Sequence, residues 1–210
     1  MTIPKKVYIS NTTELGGVYK KSELIDLYEY CKSHNLYLFI DGARIAHALV
    51  SDAADYDLTD LCGLCDIFYL GGTKNGLLLG EALVIVNDDL KKNFINLQKQ
   101  KGALLAKGFV PGIMFETVFG EEDGYLKGAR TAFAMARLLE KSLLDLGFDL
   151  AYPVESNQVF IKLPKDQVPK WQNIAEFEIM GSNESHAIVR LVTTYRTREE
   201  DIEGFIKSLI

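Results

Sequence analysis

The stretch that decides the fold is LYLFIDG, residues 36–42. It begins with an apolar run of the length of a buried strand and ends at an acid and a glycine. Before it, apolar residues recur at helical spacing from Ser22, which we expect to cap a helix, to a left-handed turn at Asn35. A helix that leads directly into a buried strand predicts an α/β fold.

The same arrangement recurs along the first half of the chain. Strands are predicted at residues 7–10, 66–70 and 81–86, each followed by a polar or glycine-rich segment. Because these strands are apolar almost throughout, we expect a mostly parallel sheet that is covered on both faces. Ligands of such sheets bind beyond the carboxyl ends of the strands, which is where Asp41 and Lys74 are expected.

The second half of the chain has a different pattern. One long amphipathic helix is predicted over residues 126–146, with Gly147 at its end. A final helix is predicted to begin at Thr197, which forms a capping box with Glu200. Three strands are predicted between these helices, at residues 158–163, 177–180 and 187–192. This half is therefore expected to be a small α+β domain.

The composition favours a globular protein that binds a small molecule. Of the 210 residues, 48% are hydrophobic and 25% are charged, which is ordinary for a protein with a sizeable core. A net charge of −6 argues against a nucleic-acid partner, because phosphates are neutralised by clustered Lys and Arg. The sequence lacks an apolar run that could span a membrane, and residues 1–6 lack a signal-peptide core, so we expect a cytoplasmic protein.

A metal site is not expected. The chain has three cysteines and three histidines. Cys62 and Cys65 have the spacing of half a zinc site or of a redox motif, but no second half follows. We interpret the cysteines as thiols in a reducing compartment.

Asp41 and Arg44 form the first candidate site. Gly42 would let the backbone pass close to a ligand, and a helical turn would bring Arg44 near the Asp41 carboxylate. Taken alone, the string is more often a helix cap with a salt bridge than a cofactor site.

Lys74 forms the second candidate, within GGTKNG, residues 71–76. The glycines allow main-chain N–H groups to approach an anion, and the Thr73 hydroxyl could donate to one. A lysine must be neutral to attack an aldehyde, and burial beside positive charge favours that state. Glycine-flanked lysines also occur in plain surface turns. The combination of a strand-end Asp and a strand-end Lys is more specific than either feature alone.

At this point the sequence resembles the threonine aldolase and β-eliminating lyase family. The resemblance is carried by TTELG (12–16), FIDGAR (39–44), GGTKNG (71–76) and KGALLAKG (101–108), and it continues through SNQVF (156–160) and VRLVT (189–193). It implies an aspartate aminotransferase-like, fold-type-I enzyme that depends on pyridoxal 5'-phosphate. Residues 1–105 would form the C-terminal portion of its cofactor-binding large domain, and residues 106–210 its small C-terminal domain.

The resemblance also implies roles for single residues. Asp41 would bind the pyridine nitrogen and Lys74 the aldehyde, with Arg44 against the ring. Thr73 would be a cofactor contact. Arg190 would bind the α-carboxylate of the amino acid, which suits a planar guanidinium. The alternative for Arg190 is an edge-strand arginine in a surface ion pair.

The implied reaction is cleavage of a β-hydroxy amino acid to glycine and an aldehyde. Its catalytic base is not identified, and His47 is interpreted as a structural residue. Because the family's sequences begin well before the first motif, we expect that this chain lacks the leading segment, which supplies the phosphate-binding turn and the group that stacks on the ring. An active homo-oligomeric lyase, a β-eliminating lyase, an inactive fragment and a non-enzymatic interaction module all remain open.

Overall fold

The computed structural model describes residues 3–210, so Met1 and Thr2 of the opening segment lie outside the described residues. The strands are β1 (Lys6–Ser10), β2 (Tyr37–Asp41), β3 (Ile67–Gly71), β4 (Glu81–Ile85), β5 (Asp149–Leu150), β6 (Gln158–Pro164), β7 (Glu178–Ser182) and β8 (His186–Val192). The helices are α1 (Lys21–Ser33), α2 (Ile45–Leu49), α3 (Asp88–Lys91), α4 (Phe94–Gln100), α5 (Phe109–Gly120), α6 (Gly124–Asp145), α7 (Val168–Gln172) and α8 (Glu199–Leu209).

The first sheet has the strand order β1-β2-β3-β4. β1, β2 and β3 are parallel, and β4 joins β3 antiparallel. The register pairs Ser10 with Asp41, so the carboxyl ends of β1 and β2 meet at one edge. The predicted α/β fold with a mostly parallel sheet is confirmed.

One face of the first sheet is buried. Leu38, Ile40 and Phe68 are at most 2% exposed and pack in one core with side chains of α1 and α2. The other face carries six large side chains that belong to neither hydrophobic core: Tyr8, Phe39, Ile67, Tyr69, Leu83 and Ile85. We call these six residues the open face. Within residues 3–210, the expected cover on both faces is therefore present on one face only.

The second sheet is antiparallel, with the order β5-β6-β8-β7. One of its faces is buried, because Val159, Ile161 and Val189 are inaccessible and pack with Leu143 of α6 and Trp171 of α7. This arrangement agrees with the predicted small α+β domain.

Helix α6 contributes to both cores. Tyr125 and Ala129 belong to the core of the first sheet, whereas Ala136, Leu139 and Leu143 belong to that of the second. The helix ends before Gly147, as predicted, and Gly147 has a positive φ of 84°. The domain boundary after residue 105 stays a prediction.

The predicted cap of α1 is wrong. The helix begins at Lys21, and Ser22 lies inside its first turn. Two carboxylates take the free N–H groups instead: Lys20 N–H donates to Glu23 at 2.8 Å, and Lys21 N–H donates to Asp55 at 2.6 Å. Acidic side chains thus satisfy the helix N-terminus without a hydroxyl cap.

The predicted start of the last helix is also displaced. α8 begins at Glu199, and the Arg198 N–H donates to the Asp201 carboxylate at 2.9 Å, so the predicted capping box of Thr197 and Glu200 is absent from this helix start. The Thr197 hydroxyl instead accepts the Thr194 N–H at 2.9 Å in the preceding turn.

Candidate active site

The candidate site lies at the carboxyl edge of the first sheet, where β2 and β3 approach each other closely. A Cβ atom at Gly42 would lie 1.7 Å from the Tyr69 carbonyl oxygen, and one at Gly71 would lie 2.3 Å from the Ala43 carbonyl oxygen. Neither position admits a side chain. We expected Gly42 to make room for a ligand, but the structure shows that it makes room for the neighbouring strand.

Asp41 is the last residue of β2, and its carboxylate is held on three sides. It accepts hydrogen bonds from the hydroxyls of Tyr8 and Tyr69 and, at 3.0 Å, from the Ala43 N–H. Burial opposes ionisation of Asp41, but these hydrogen bonds and the charge of Lys74 outweigh it and lower the pKa of the carboxyl. Asp41 is therefore a fixed anion at neutral pH.

The pKa values of the Tyr8 and Tyr69 hydroxyls are shifted in the opposite direction to that of Asp41. The hydrogen bond to Asp41, followed by partial burial, raises the pKa of Tyr8 to about 12. Burial and the hydrogen bond to Asp41 also raise the pKa of Tyr69. Both side chains consequently stay protonated and remain donors to the carboxylate.

Lys74 lies in a 3₁₀ turn, Thr73–Asn75, that directly follows β3. The turn is tied to α6, because the Asn75 side-chain amide donates to the Tyr125 carbonyl. Partial burial and the charge of Arg44 lower the pKa of Lys74, while Asp41 acts against them. A lysine in this environment loses its proton more readily than a lysine in water.

Arg44 immediately precedes α2, beside these two groups. Burial and the charge of Arg190 lower the pKa of its guanidinium. The expected ion pair with Asp41 is absent among residues 3–210, although the charge of Asp41 raises the pKa of Arg44. The reason is that Tyr8, Tyr69 and the Ala43 N–H already occupy the carboxylate.

His47 lies beneath this group and is 1% exposed. Burial lowers the pKa of its imidazole to about 4, so the ring is neutral. Both ring nitrogens are buried and have no hydrogen-bond partner among residues 3–210, so the interpretation of His47 as a structural residue stays a prediction.

Thr73 and Glu81 share the rim of the site. The Gly72 N–H donates to the Glu81 carboxylate at 3.0 Å, and the Thr73 hydroxyl lies beside it. Burial raises the pKa of Glu81, against the Gly72 N–H and the charge of Lys74. The Gly72 N–H, which we expected to be available to an external anion, is thus used within the chain.

Arg190 comes from the second sheet, on the central strand β8 rather than on an edge. Its guanidinium donates to the Gln158 side-chain oxygen at 3.2 Å and to the Glu178 carboxylate. After burial, the charge of Arg190 is the main cause that lowers the pKa of Arg44. The structure therefore brings Asp41, Lys74, Arg44 and Arg190 into one electrostatic cluster.

Sequence reasoning missed the side chains that hold these groups: Tyr8, Tyr69, Glu81, Gln158 and Glu178. They come from five different strands, and their proximity to the site depends on strand register. Gln158 carried the one usable signal, since it is an amide within the recognised segment SNQVF.

Two further properties concern the described residues alone. Among residues 3–210, no helix is long and apolar enough to cross a membrane. The same residues contain no group of three or more His, Cys, Asp or Glu side chains that could hold a metal ion.

Comparison with known sequences identifies related proteins. The sequence model of the family described as "Beta-eliminating lyase" matches residues 2–166. The low specificity L-threonine aldolase of Pseudomonas aeruginosa is 35% identical over 167 residues, which are 79% of this chain and 48% of that protein. The chain thus spans about half the length of the curated relatives it matches.

Comparison with solved structures gives the same result for the fold. The threonine aldolase of Leishmania major superposes with a TM-score of 0.94 and 42% identity, over 100% of this chain and 61% of that chain. An aromatic aminotransferase from Pyrococcus horikoshii superposes with a TM-score of 0.70 at 15% identity, over 98% of this chain and 58% of its own. The second likeness concerns the fold alone, and it confirms the predicted aminotransferase-like architecture.

Proposed function

The chain belongs to the β-eliminating lyase family, and from this membership we propose that it is part of a pyridoxal 5'-phosphate-dependent carbon–carbon lyase. The proposed substrate is a β-hydroxy amino acid, which would be cleaved to glycine and an aldehyde. The threonine aldolases among its relatives favour this reaction over β-elimination.

One observation carries the proposal: two neighbouring groups have pKa values shifted in the sense that this chemistry needs. Asp41 is kept ionised by three hydrogen bonds, and Lys74 is made easier to deprotonate by burial and by Arg44. Opposed environments of this kind are typical of active sites rather than of structural ion pairs.

The described residues fit one end of the cofactor. Asp41 would hold a proton on the pyridine nitrogen, because a permanently ionised carboxylate is the partner that a protonated ring requires. The Tyr8 and Tyr69 hydroxyls would keep that carboxylate in place. Lys74 would hold the aldehyde through its amine, and Arg44 would lie against the ring. Pyridoxal phosphate, when bound, supplies an electron sink for the bond that breaks.

Two contacts would orient the substrate. Arg190 would pair with the α-carboxylate, since a guanidinium offers two parallel donors to a carboxylate. The Arg44 charge nearby would add to this attraction. Thr73 stays a proposed cofactor contact at the rim, next to the Gly72 N–H that Glu81 already occupies.

The visible absorption spectrum of the purified chain after incubation with pyridoxal phosphate tests the proposal. We expect a band from lysine-bound cofactor that is lost in Lys74→Ala and kept in Lys141→Ala, which removes an exposed lysine of α6 outside the site. A folded chain that gives no band, or a Lys74→Ala variant that keeps it, would contradict the assignment.

We also propose that the protein is a homo-oligomer. Helix α5 is apolar around its circumference, which is typical of a helix buried on all sides. Yet Phe109, Ile113 and Phe119 are each about half exposed or more. A second copy of the chain would cover them, and light scattering that finds a monomer at micromolar concentration would contradict this. A cytoplasmic location stays a prediction from the sequence.

A further inference from the structure

The surroundings of Arg190 contain a group that the proposed reaction does not use. Arg190 is almost buried, with a side chain that is 12% exposed. One terminal nitrogen donates to Gln158 and the other donates to Glu178. Its Nε is buried and has no hydrogen-bond partner among residues 3–210. The guanidinium is thus held by one amide and one acid.

The amide is fixed in place. Gln158 is 1% exposed, and its side-chain oxygen accepts from Arg190 while its NH₂ reaches the Thr12 hydroxyl and the Thr13 carbonyl, each at 3.5 Å. Both ends of the Gln158 amide therefore have partners, one in the second sheet and one in the loop that follows β1. This arrangement fixes the direction in which the guanidinium points.

The Glu178 side chain, by contrast, is free to rotate away from Arg190. The Glu178 side chain is 64% exposed and belongs to β7, the edge strand that pairs directly with β8 at Arg190. Its carboxylate has no partner other than Arg190 among the described residues. A rotation of Glu178 into solvent would break this ion pair and leave the almost buried Arg190 guanidinium with Gln158 as its partner, while the exposed Glu178 carboxylate would be hydrated.

Departure of Glu178 would leave an excess of positive charge. The charge of Arg190 lowers the pKa of Arg44, and the charges of Glu14, Asp41 and Glu178 act against it. Asp41 is already held by Tyr8 and Tyr69. Another carboxylate is then the group best suited to replace Glu178.

We propose that Glu178 occupies the carboxylate site of Arg190 when no substrate is bound, that an incoming amino-acid carboxylate displaces it, and that Gln158 is the positioning residue for the guanidinium. This inference rests on the proposed function, in which Arg190 binds the α-carboxylate. It adds an internal competitor that lowers the apparent affinity for the substrate.

Chemical modification of arginine by phenylglyoxal, mapped by mass spectrometry, tests the first part. Glu178→Gln keeps the shape of the side chain and removes its charge. We expect the modification rate of Arg190 to rise about two- to fivefold, the range that corresponds to an ion pair with one exposed partner. The matched control is Glu140→Gln, which removes the acid paired with Arg137 at 2.6 Å and should leave the rate at Arg190 unchanged. An unchanged rate in Glu178→Gln would overturn the proposal.

Protection by glycine at constant ionic strength tests the displacement. Glycine should protect Arg190, and the concentration for half protection should fall about two- to fivefold in Glu178→Gln. Gln158→Met, which keeps the volume and removes the amide, should raise that concentration instead. Circular dichroism checks that each variant is folded. Because the two variants should shift the glycine concentration for half protection in opposite directions, a loss of structure common to both could not explain the result.

The outcomes separate the two levels of inference. If glycine protects Arg190 equally well in the native chain and in Glu178→Gln, the competitor is disproved and the proposed function stands. If glycine protects Arg190 in neither chain, Arg190 is not the carboxylate site, and the proposal fails together with that part of the proposed function.

Discussion

The two sheets of this chain have one buried face each, but their other faces differ. In the first sheet, the open face is apolar, with Tyr8 50% exposed and Leu83 40% exposed. In the second sheet, the corresponding face carries Lys162 and His186 at one end, whereas Gln158, Phe160 and Arg190 at the other end are largely buried. An antiparallel sheet tolerates water on one face when polar and apolar side chains alternate along its strands, whereas mostly parallel sheets are covered on both faces.

The difference indicates which sheet is complete within the described residues. The second sheet has the pattern of a finished two-layer domain. The open face of the first sheet has the large apolar side chains of a face that another layer covers. The curated relatives that the chain matches are about twice as long as the chain itself. The open face ends at Asp41, so the surface that lacks cover adjoins the candidate active site.

The largest effect is expected from a comparison of two alanine substitutions, each of which replaces a phenylalanine on one face of the first sheet. Phe68→Ala, on the buried face, should lower the free energy of unfolding by about 3–4 kcal/mol, because it leaves a cavity. Phe39→Ala, on the open face, should cost about 1 kcal/mol. Chemical denaturation measures both, and equal losses would show that the open face is packed as tightly as the buried one.

A smaller effect is expected from Asp41→Asn, at the end of the open face. The folded pKa of Asp41 lies below that of an unfolded aspartate, about 3.9. Its ionised form therefore contributes stability above that pH, and the contribution is lost as the pH falls through the folded value. The variant should be less stable than the native chain by about 1 kcal/mol at pH 7 and equally stable in acid.

Denaturation curves at several pH values give this difference. Asp166→Asn is the control, because Asp166 is exposed. Its replacement should change the free energy of unfolding by less than about 0.5 kcal/mol. A difference for Asp41→Asn that persists below the folded pKa would mean that the carboxylate charge is not what stabilises the fold.

The smallest effect on stability, under about 0.5 kcal/mol, is expected from a new charge on either exposed face. Leu83→Lys should nevertheless reduce the fluorescence of bound anilinonaphthalene sulfonate, because it interrupts the apolar surface of the first sheet. Ile188→Lys should leave it unchanged, since its neighbours on the second sheet are already polar. Equal fluorescence in both variants would argue against the contrast between the two faces.

Much of the architecture could be predicted from the sequence. Apolar runs of strand length placed β1 to β4 and β6 to β8 within one or two residues, and the periodicity of α6 gave both of its ends. The helix caps were wrong at Ser22 and Thr197, because nearby acids or turn contacts took over the hydrogen bonds that a hydroxyl would have made.

The site could be predicted only in part. Asp41 and Lys74 stand out because they follow strands and are flanked by glycine. Tyr8 and Tyr69 do not, since they read as ordinary strand residues until the register of β1 and β3 brings both hydroxyls to one carboxylate. The pairing of Glu178 with Arg190 likewise depends on which strand lies beside β8, a choice that local pattern does not determine.

Helix α6 has a mechanical consequence for this site. Near its first turn, the Tyr125 carbonyl holds the turn of Lys74, and seven residues later the Ala132 carbonyl accepts the hydroxyl of Thr193, three residues beyond Arg190. At a rise of about 1.5 Å per residue, these two anchors lie about 10 Å apart along one rigid rod. The spacing between the lysine and the arginine is thereby set by a helix with both halves embedded in a core. Any motion that changed the spacing of these two backbone segments would have to bend α6 or detach one of its anchors. If Lys74 and Arg190 hold the two ends of a ligand, as proposed, α6 acts as the ruler for its length.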